Sequence, residues 1–193
     1  MSKRAVFQLA ATLAVICAAL PAIADDADAP RYNSSGALML PSNYREWVFL
    51  SSGLAMTYGP VGAVSPDGNP RFDNVFVSRA AYQSFLKSGR WPDKTMFILE
   101  IRSSESKGSI NNAGHYQSGV VGMESEVKED GKWTFYSFER NATEGKPFAR
   151  NASCYSCHAE NGAVDNTFVQ FYPTLLPIAK KAGTFRSTPE SRH

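Results

Sequence analysis

The stretch Cys154-Tyr155-Ser156-Cys157-His158 constrains this chain more than any other, because two thiols three residues apart lie one helical turn from each other with an imidazole beside them. Three chemistries use such a pair. A structural zinc site needs about four protein ligands. Beyond the first 24 residues the chain offers only these two cysteines with His115, His158 and His193, spread far apart and with no second short-spaced pair, which disfavours zinc. A thioredoxin-like redox pair starts a helix after a β-strand, near the N-terminal part of a βαβ pattern, whereas this pair comes late and is followed directly by His. Cys-x-x-Cys-His is the attachment signature of a c-type haem. The thiols form thioethers to both vinyl groups, and the adjacent imidazole is left to reach the iron. The expectation is one covalent haem c on Cys154 and Cys157, with His158 as its proximal ligand.

The remaining cysteine, Cys17, falls in an N-terminal segment with Lys3 and Arg4, an apolar run and a small-residue site at Ala22-Ile23-Ala24. That pattern predicts a secretory signal peptide over residues 1–24, cleaved before Asp25. The apolar run is short for a membrane span of about 20 residues, and Ala14, Val15 and Ile16 form a poor lipoprotein box before Cys17. A periplasmic protein with no membrane attachment after cleavage is expected. Cleavage leaves 169 of 193 residues, enough for one domain with a core. It removes two of the 20 basic side chains and none of the 18 acidic ones. The resulting formal neutrality argues against nucleic acid as a partner. In an oxidising compartment Cys154 and Cys157 could staple no long loop, so their purpose is local.

Residues 25–35 are polar and read as a flexible segment, followed by a domain over 36–181 and a flexible tail over 182–193. Leu40 to Trp47 suggests a proline-started helical turn leading into an apolar stretch at Val48 to Leu50. Asn74 to Val77 reads as a strand. Ser78 is the expected N-cap of a helix over 79–88, with Tyr82, Phe85 and Leu86 on one face and Gly89 as its stop. Thr95 to Ile101 is β-rich and apolar on both faces, and a Ser/Gly/Asn loop follows it. Gly119 to Lys128 and Trp133 to Phe138 read as two strands joined through Asp130-Gly131, a strong hairpin signal. The fold class is α+β: a predominantly antiparallel β-sheet with a helix packed on it and a C-terminal haem-attachment helix.

Small single-haem electron carriers of the c type are mostly helical, with the motif near the N-terminus. This chain instead resembles the cytochrome P-460 and cytochrome c′-beta family through NYREWV (43–48), TMFILEI (95–101), GMESEVK (122–128) and CYSCHAENGAVDNTFVQFYPTL (154–175). The resemblance implies a mainly β, exported, usually dimeric monohaem protein, with a five-coordinate iron open to small nitrogen compounds or gases. Cytochrome P-460 enzymes carry a strand lysine bonded to the haem macrocycle and oxidise hydroxylamine. Cytochromes c′-beta lack it and bind nitric oxide or carbon monoxide in an apolar pocket.

Aligning Asp93 and Thr95 with the family's turn, and Glu100 with the acid after the lysine, puts Leu99 at the cross-linking position, nearer the c′-beta type. Lys94 is five residues away, an odd offset that points a strand side chain to the opposite face. The resemblance matches Glu124 to the distal proton acceptor of the hydroxylamine-oxidising members. Two readings of Glu124 stand: an acid near the iron, or an outward charge that shares a strand face with Glu126. Trp91, Phe97 and Tyr58 are candidates for the distal cap, each with core packing as the plain alternative, preferred for Tyr58. Met123, Met56 and His115 are the other conceivable iron ligands, and none is expected to bind.

The expected function is a periplasmic monohaem cytochrome whose distal site takes nitric oxide or carbon monoxide as a carrier, scavenger or sensor. An oxidoreductase acting on hydroxylamine or nitric oxide, with Glu124 as proton acceptor, is the alternative. A simple electron carrier is the third reading. Expected partners are the small ligand, a redox partner protein and a second copy of the chain.

Overall fold

The computed structural model describes residues 28–57 and 68–187. The signal peptide expected over 1–24 and the candidate Tyr58 lie outside the described residues. Among those described, the strands are β1 (Leu38–Met39), β2 (Val48–Leu54), β3 (Phe72–Val77), β4 (Met96–Glu105), β5 (Tyr116–Glu129), β6 (Lys132–Phe138) and β7 (Glu144–Pro147). The helices are α1 (Arg79–Ser88), α2 (Ser153–Asn161) and α3 (Leu176–Lys181). The strands form one antiparallel sheet in the order β1-β7-β6-β5-β4-β3-β2. The chain is α+β, as its turn and alternation signals imply, and no described helix is long and apolar enough to cross a membrane.

Local chemistry explains the main boundaries. Asp130 and Gly131 both adopt left-handed backbone, with φ of 48° and 72°. This is the two-residue turn whose twist matches the flanking strands, and it folds β5 onto β6. Gly89 ends α1 with φ 66°, its N–H bonding to the Phe85 carbonyl; glycine makes this left-handed cap without steric cost. The helical turn after Pro41 is a short 3-10 turn, Tyr44–Glu46. Phe85 is fully buried on α1 and Tyr82 packs beside it, but Leu86 lies at the rim and is exposed.

Alternation along β4 divides the core between the two sheet faces. Met96 and Ile98 join Leu38, Tyr44, Trp47, Val127, Tyr136 and Phe138 on one face. Phe97 joins Phe85, Trp91, Trp133, Phe135 and Tyr172 on the other, under the three helices. The two ends of the domain are tied in further than their polarity suggests. Asp28, in the segment expected to be flexible, is buried and accepts bonds from Trp47 Nε1 (2.9 Å) and Asn43 Nδ2 (3.2 Å). Residues 182–187, expected to begin a tail, are hydrogen-bonded into the domain: Thr184 Oγ1 donates to the Gly89 carbonyl at 2.7 Å, and the Arg186 N–H donates to that of Ala163 at 2.8 Å.

Candidate haem-attachment site

On α2 the two thiols are half-buried and free. They sit three residues apart on one helix, hence on neighbouring turns of one side. Burial pushes the Cys154 thiol above its ordinary pKa, outweighing its backbone hydrogen bonds, and the nearby Glu124 charge adds to the shift. α2 buries none of its residues fully, so it is anchored by particular contacts. The Tyr155 ring meets Phe135 edge-on at 4.8 Å. Arg150 lies 5.2 Å from the same ring and donates to the Trp133 carbonyl at 3.0 Å. At the other end Arg186 Nη2 donates to the carbonyls of Ala159 and Gly162, each at 2.8 Å, satisfying terminal acceptors and placing a cation at the negative end of the helix dipole.

His158 is held between two aromatic rings, with Phe135 at 4.5 Å and Phe168 at 4.4 Å. Its Nδ1 lies 3.0 Å from the Asn166 carbonyl, a bond that assigns the ring hydrogen to Nδ1 and leaves the Nε2 lone pair for a metal. Burial lowers the histidine pKa against the opposing pull of that carbonyl, which favours the neutral, ligating form.

The Asn166 carbonyl is delivered by a strained turn. Asp165 and Asn166 both have positive φ, 49° and 59°, and the turn is stapled from the sheet. Trp133 Nε1 donates to the Asp165 carbonyl at 2.8 Å, and Lys128 Nζ pairs with the Asp165 carboxylate at 2.5 Å. Gly162 lets the turn close, since a Cβ there would collide with the Asn166 backbone and sit 2.7 Å from the His158 carbonyl oxygen.

The sheet brings two acids under α2. Glu124 and Glu126 pair across strands with Leu99 and Phe97, and so occupy the same face as the helices. Glu124 is half-buried, and burial, with the Asp73 charge, pushes its carboxyl up. Glu126 is 9% exposed. Burial, with Asp165 nearby, pushes it up to about 8, and its Oε2 lies 3.4 Å from His158 Nδ1 without a hydrogen-bond partner. Leu99 is half-buried between Val75 and Glu124.

The other sequence candidates separate clearly. Trp91 and Phe97 are each 2% exposed and packed with each other at 4.8 Å. Trp91 Nε1 donates to Thr167 Oγ1 at 2.9 Å. Both rings belong to the core beside the site, which is the plain alternative weighed for them. Lys94 is exposed, in a left-handed turn before β4 rather than on the strand. Met123 packs against the opposite face with Phe138 and Ile98, Met56 borders the undescribed segment, and His115 is exposed beside Ser104. Sequence reading missed the proximity of Glu126 to His158, the Asn166 carbonyl and the Arg186 cap. Alternation had put Glu126 on the Glu124 face, and that was the available signal.

The residues present fit a covalently attached haem. Two free thiols, an imidazole whose Nδ1 is already engaged, and a half-buried apolar patch at Val75, Leu99 and Ile101 are the residues that would hold it, through thioethers, a nitrogen ligand and apolar contact. Among protein families, the model described as Cytochrome P460 matches residues 41–169. No curated protein matches the chain.

Proposed function

The chain belongs to the cytochrome P460 family and is a haem-binding cytochrome, and from that premise we propose an exported, periplasmic protein with one haem c bound through Cys154 and Cys157. His158 is its proximal ligand, and the open distal side takes a small ligand such as nitric oxide or carbon monoxide. The observation that carries this reading is the pairing of two free thiols one helical turn apart with an imidazole whose Nδ1 is committed to Asn166.

Bound at this site, haem supplies an iron centre that takes diatomic ligands and exchanges single electrons. The chain's own residues do the rest. His158 donates from Nε2 while the Asn166 carbonyl fixes its ring plane. Leu99 and Val75 offer no hydrogen-bond donor, which suits a neutral diatomic better than an anion. The partners proposed are that ligand, a redox partner protein and a second copy of the chain; exposed Phe49 (53%) and Leu54 (50%) on edge strand β2 support the last.

A second reading, oxidation of hydroxylamine or nitric oxide, is favoured by one observation: Glu124 lies on the α2 face, and burial raises its carboxyl pKa above the ordinary value, which makes it a better proton acceptor than an ordinary carboxylate. Hydrocarbon Leu99 at the position aligned with the cross-linking lysine weighs against it.

Absorption spectra test the proposal. The ferrous protein is expected to be five-coordinate and to bind carbon monoxide and nitric oxide readily. A low-spin ferrous spectrum unresponsive to carbon monoxide would contradict it and favour a simple electron carrier. Hydroxylamine turnover with an artificial acceptor separates the enzyme from the binder, and little turnover is expected.

A further inference from the structure

Glu126 stands out because no part of the fold accounts for it. A carboxyl that is nine-tenths buried needs partners, and an unpaired buried oxygen costs about 1–3 kcal/mol. Glu126 Oε2 has none, although the other buried side-chain polar atoms among the described residues are paired. Replacement by an apolar residue would suit the surrounding Phe135, Phe97 and Trp133 better.

The direction in which this oxygen faces is specific. It lies 3.4 Å from His158 Nδ1, the same nitrogen that bonds to the Asn166 carbonyl at 3.0 Å. One ring hydrogen thus has two acceptors around it, a backbone carbonyl from the turn after α2 and a carboxyl from β5. Both acceptors are rigidly mounted. Glu126 sits in β5 where the strand is flanked on both sides, paired with Phe97 on β4 and Phe135 on β6, and the turn is stapled by Lys128 and Trp133. The imidazole between them is held by Phe135 and Phe168, so both acceptors address the same nitrogen of a positioned ring.

We propose that Glu126 is a positioning residue for the proximal ligand: it shares the His158 Nδ1 hydrogen with the Asn166 carbonyl and so makes the imidazole a stronger donor at Nε2. The inference rests on His158 being the iron ligand. Outer-shell acceptors of this kind orient a ligating histidine and raise its basicity, and second-shell hydrogen bonding is among the few levers a protein has on haem iron. Glu124 lies two residues along the same face, where its charge is felt at Cys154, and it is Glu126 whose oxygen lies against the imidazole.

Resonance Raman spectroscopy of the ferrous holoprotein reads the iron–histidine stretch directly, a signature that a merely structural role leaves unmoved. In the wild type this stretch is expected above that of a histidine bonded only to a backbone carbonyl. Glu126→Gln should lower it, Glu126→Leu should lower it further, and Glu124→Gln should leave it in place. The reduction potential should rise in the same order as the stretch falls. A wild-type stretch at the carbonyl-only position, or one unchanged in Glu126→Gln, overturns the inference. If Glu126→Leu fails to fold, the wild-type frequency and Glu126→Gln still decide. A pyridine haemochrome of the same samples, with His158→Ala, separates the two levels. Absence of covalent haem, or an iron–histidine stretch that persists in His158→Ala, sinks the site assignment itself, whereas an intact assignment with an unmoved stretch sinks only the role of Glu126.

Discussion

Glu100 and Glu126 are both buried carboxylates on central strands of one sheet, but they face opposite sides and have opposite surroundings. Glu100, on β4, is 2% exposed and surrounded by donors. Tyr44 Oη donates to it, Arg45 Nη2 at 2.6 Å, Arg102 Nε at 2.5 Å and Asn74 Nδ2 at 3.3 Å. Burial alone would raise its pKa, but the bonds from Arg102, Tyr44 and Asn74 outweigh burial and bring it down to about 2. Glu126, on β5, receives no such help, and burial carries it up to about 8. A buried acid that the fold has fully paired is part of the framework, and one left short of partners marks a place with another task.

That contrast breaks first at Glu100. Glu100→Gln should cost about 3 kcal/mol of unfolding free energy, because removing one member of a buried ion cluster strands its partners; the half-exposed Arg45 keeps the figure at the lower end. The same group sets an acid limb. Its folded pKa lies below the ordinary value of 4.5, so its contribution is fully present above pH 4.5 and is lost as pH falls through about 2. At roughly 1.4 kcal/mol per pKa unit that loss is again about 3 kcal/mol. Chemical denaturation of the wild type between pH 5 and 2 should show the limb, and Glu100→Gln should flatten it.

Arg186→Ala comes next. Losing the cation and donor at the C-terminus of α2 should cost about 1 kcal/mol globally, with hydrogen-exchange protection falling mainly in residues 158–162. A loss spread evenly over β4 and β5 would show that α2 is not held by its cap. The smallest effect belongs to Glu126→Gln, which keeps an oxygen in place beside His158 and strands no charged partner, since no described arginine or lysine bonds to Glu126. Its stability should stay within about 1 kcal/mol of wild type. A loss as large as that of Glu100→Gln would erase the distinction between the two acids.

The framework side was the more legible of the two. Asp130-Gly131, the Gly89 stop, and the alternation of Met96, Phe97 and Ile98 are local signals, and each produced the element or face it implied. The attachment motif was equally local, and its helix is α2. What escaped was supplied across long stretches of chain. The Asn166 carbonyl is backbone and carries no residue signature. Arg186 reaches α2 from a segment whose polarity reads as a tail. The approach of Glu126 to His158 joins residues 32 apart and exists only because β5 passes beneath α2. Trp91 and Phe97 illustrate the converse: aromatic residues near the right strand suggest a cap, yet core packing absorbs them.

The central claim is that α2 carries haem covalently and that the β4 face meets it without a bond. Intact mass of the holoprotein under denaturing conditions, followed by digestion, tests both parts at once. The account predicts one haem retained on the chain and recovered on the peptide containing Cys154, Cys157 and His158, with residues 95–101 released as an unmodified peptide. A haem-free mass would contradict the attachment, and a 95–101 peptide joined to the haem peptide would contradict the role given to Leu99 and return the enzyme reading to first place.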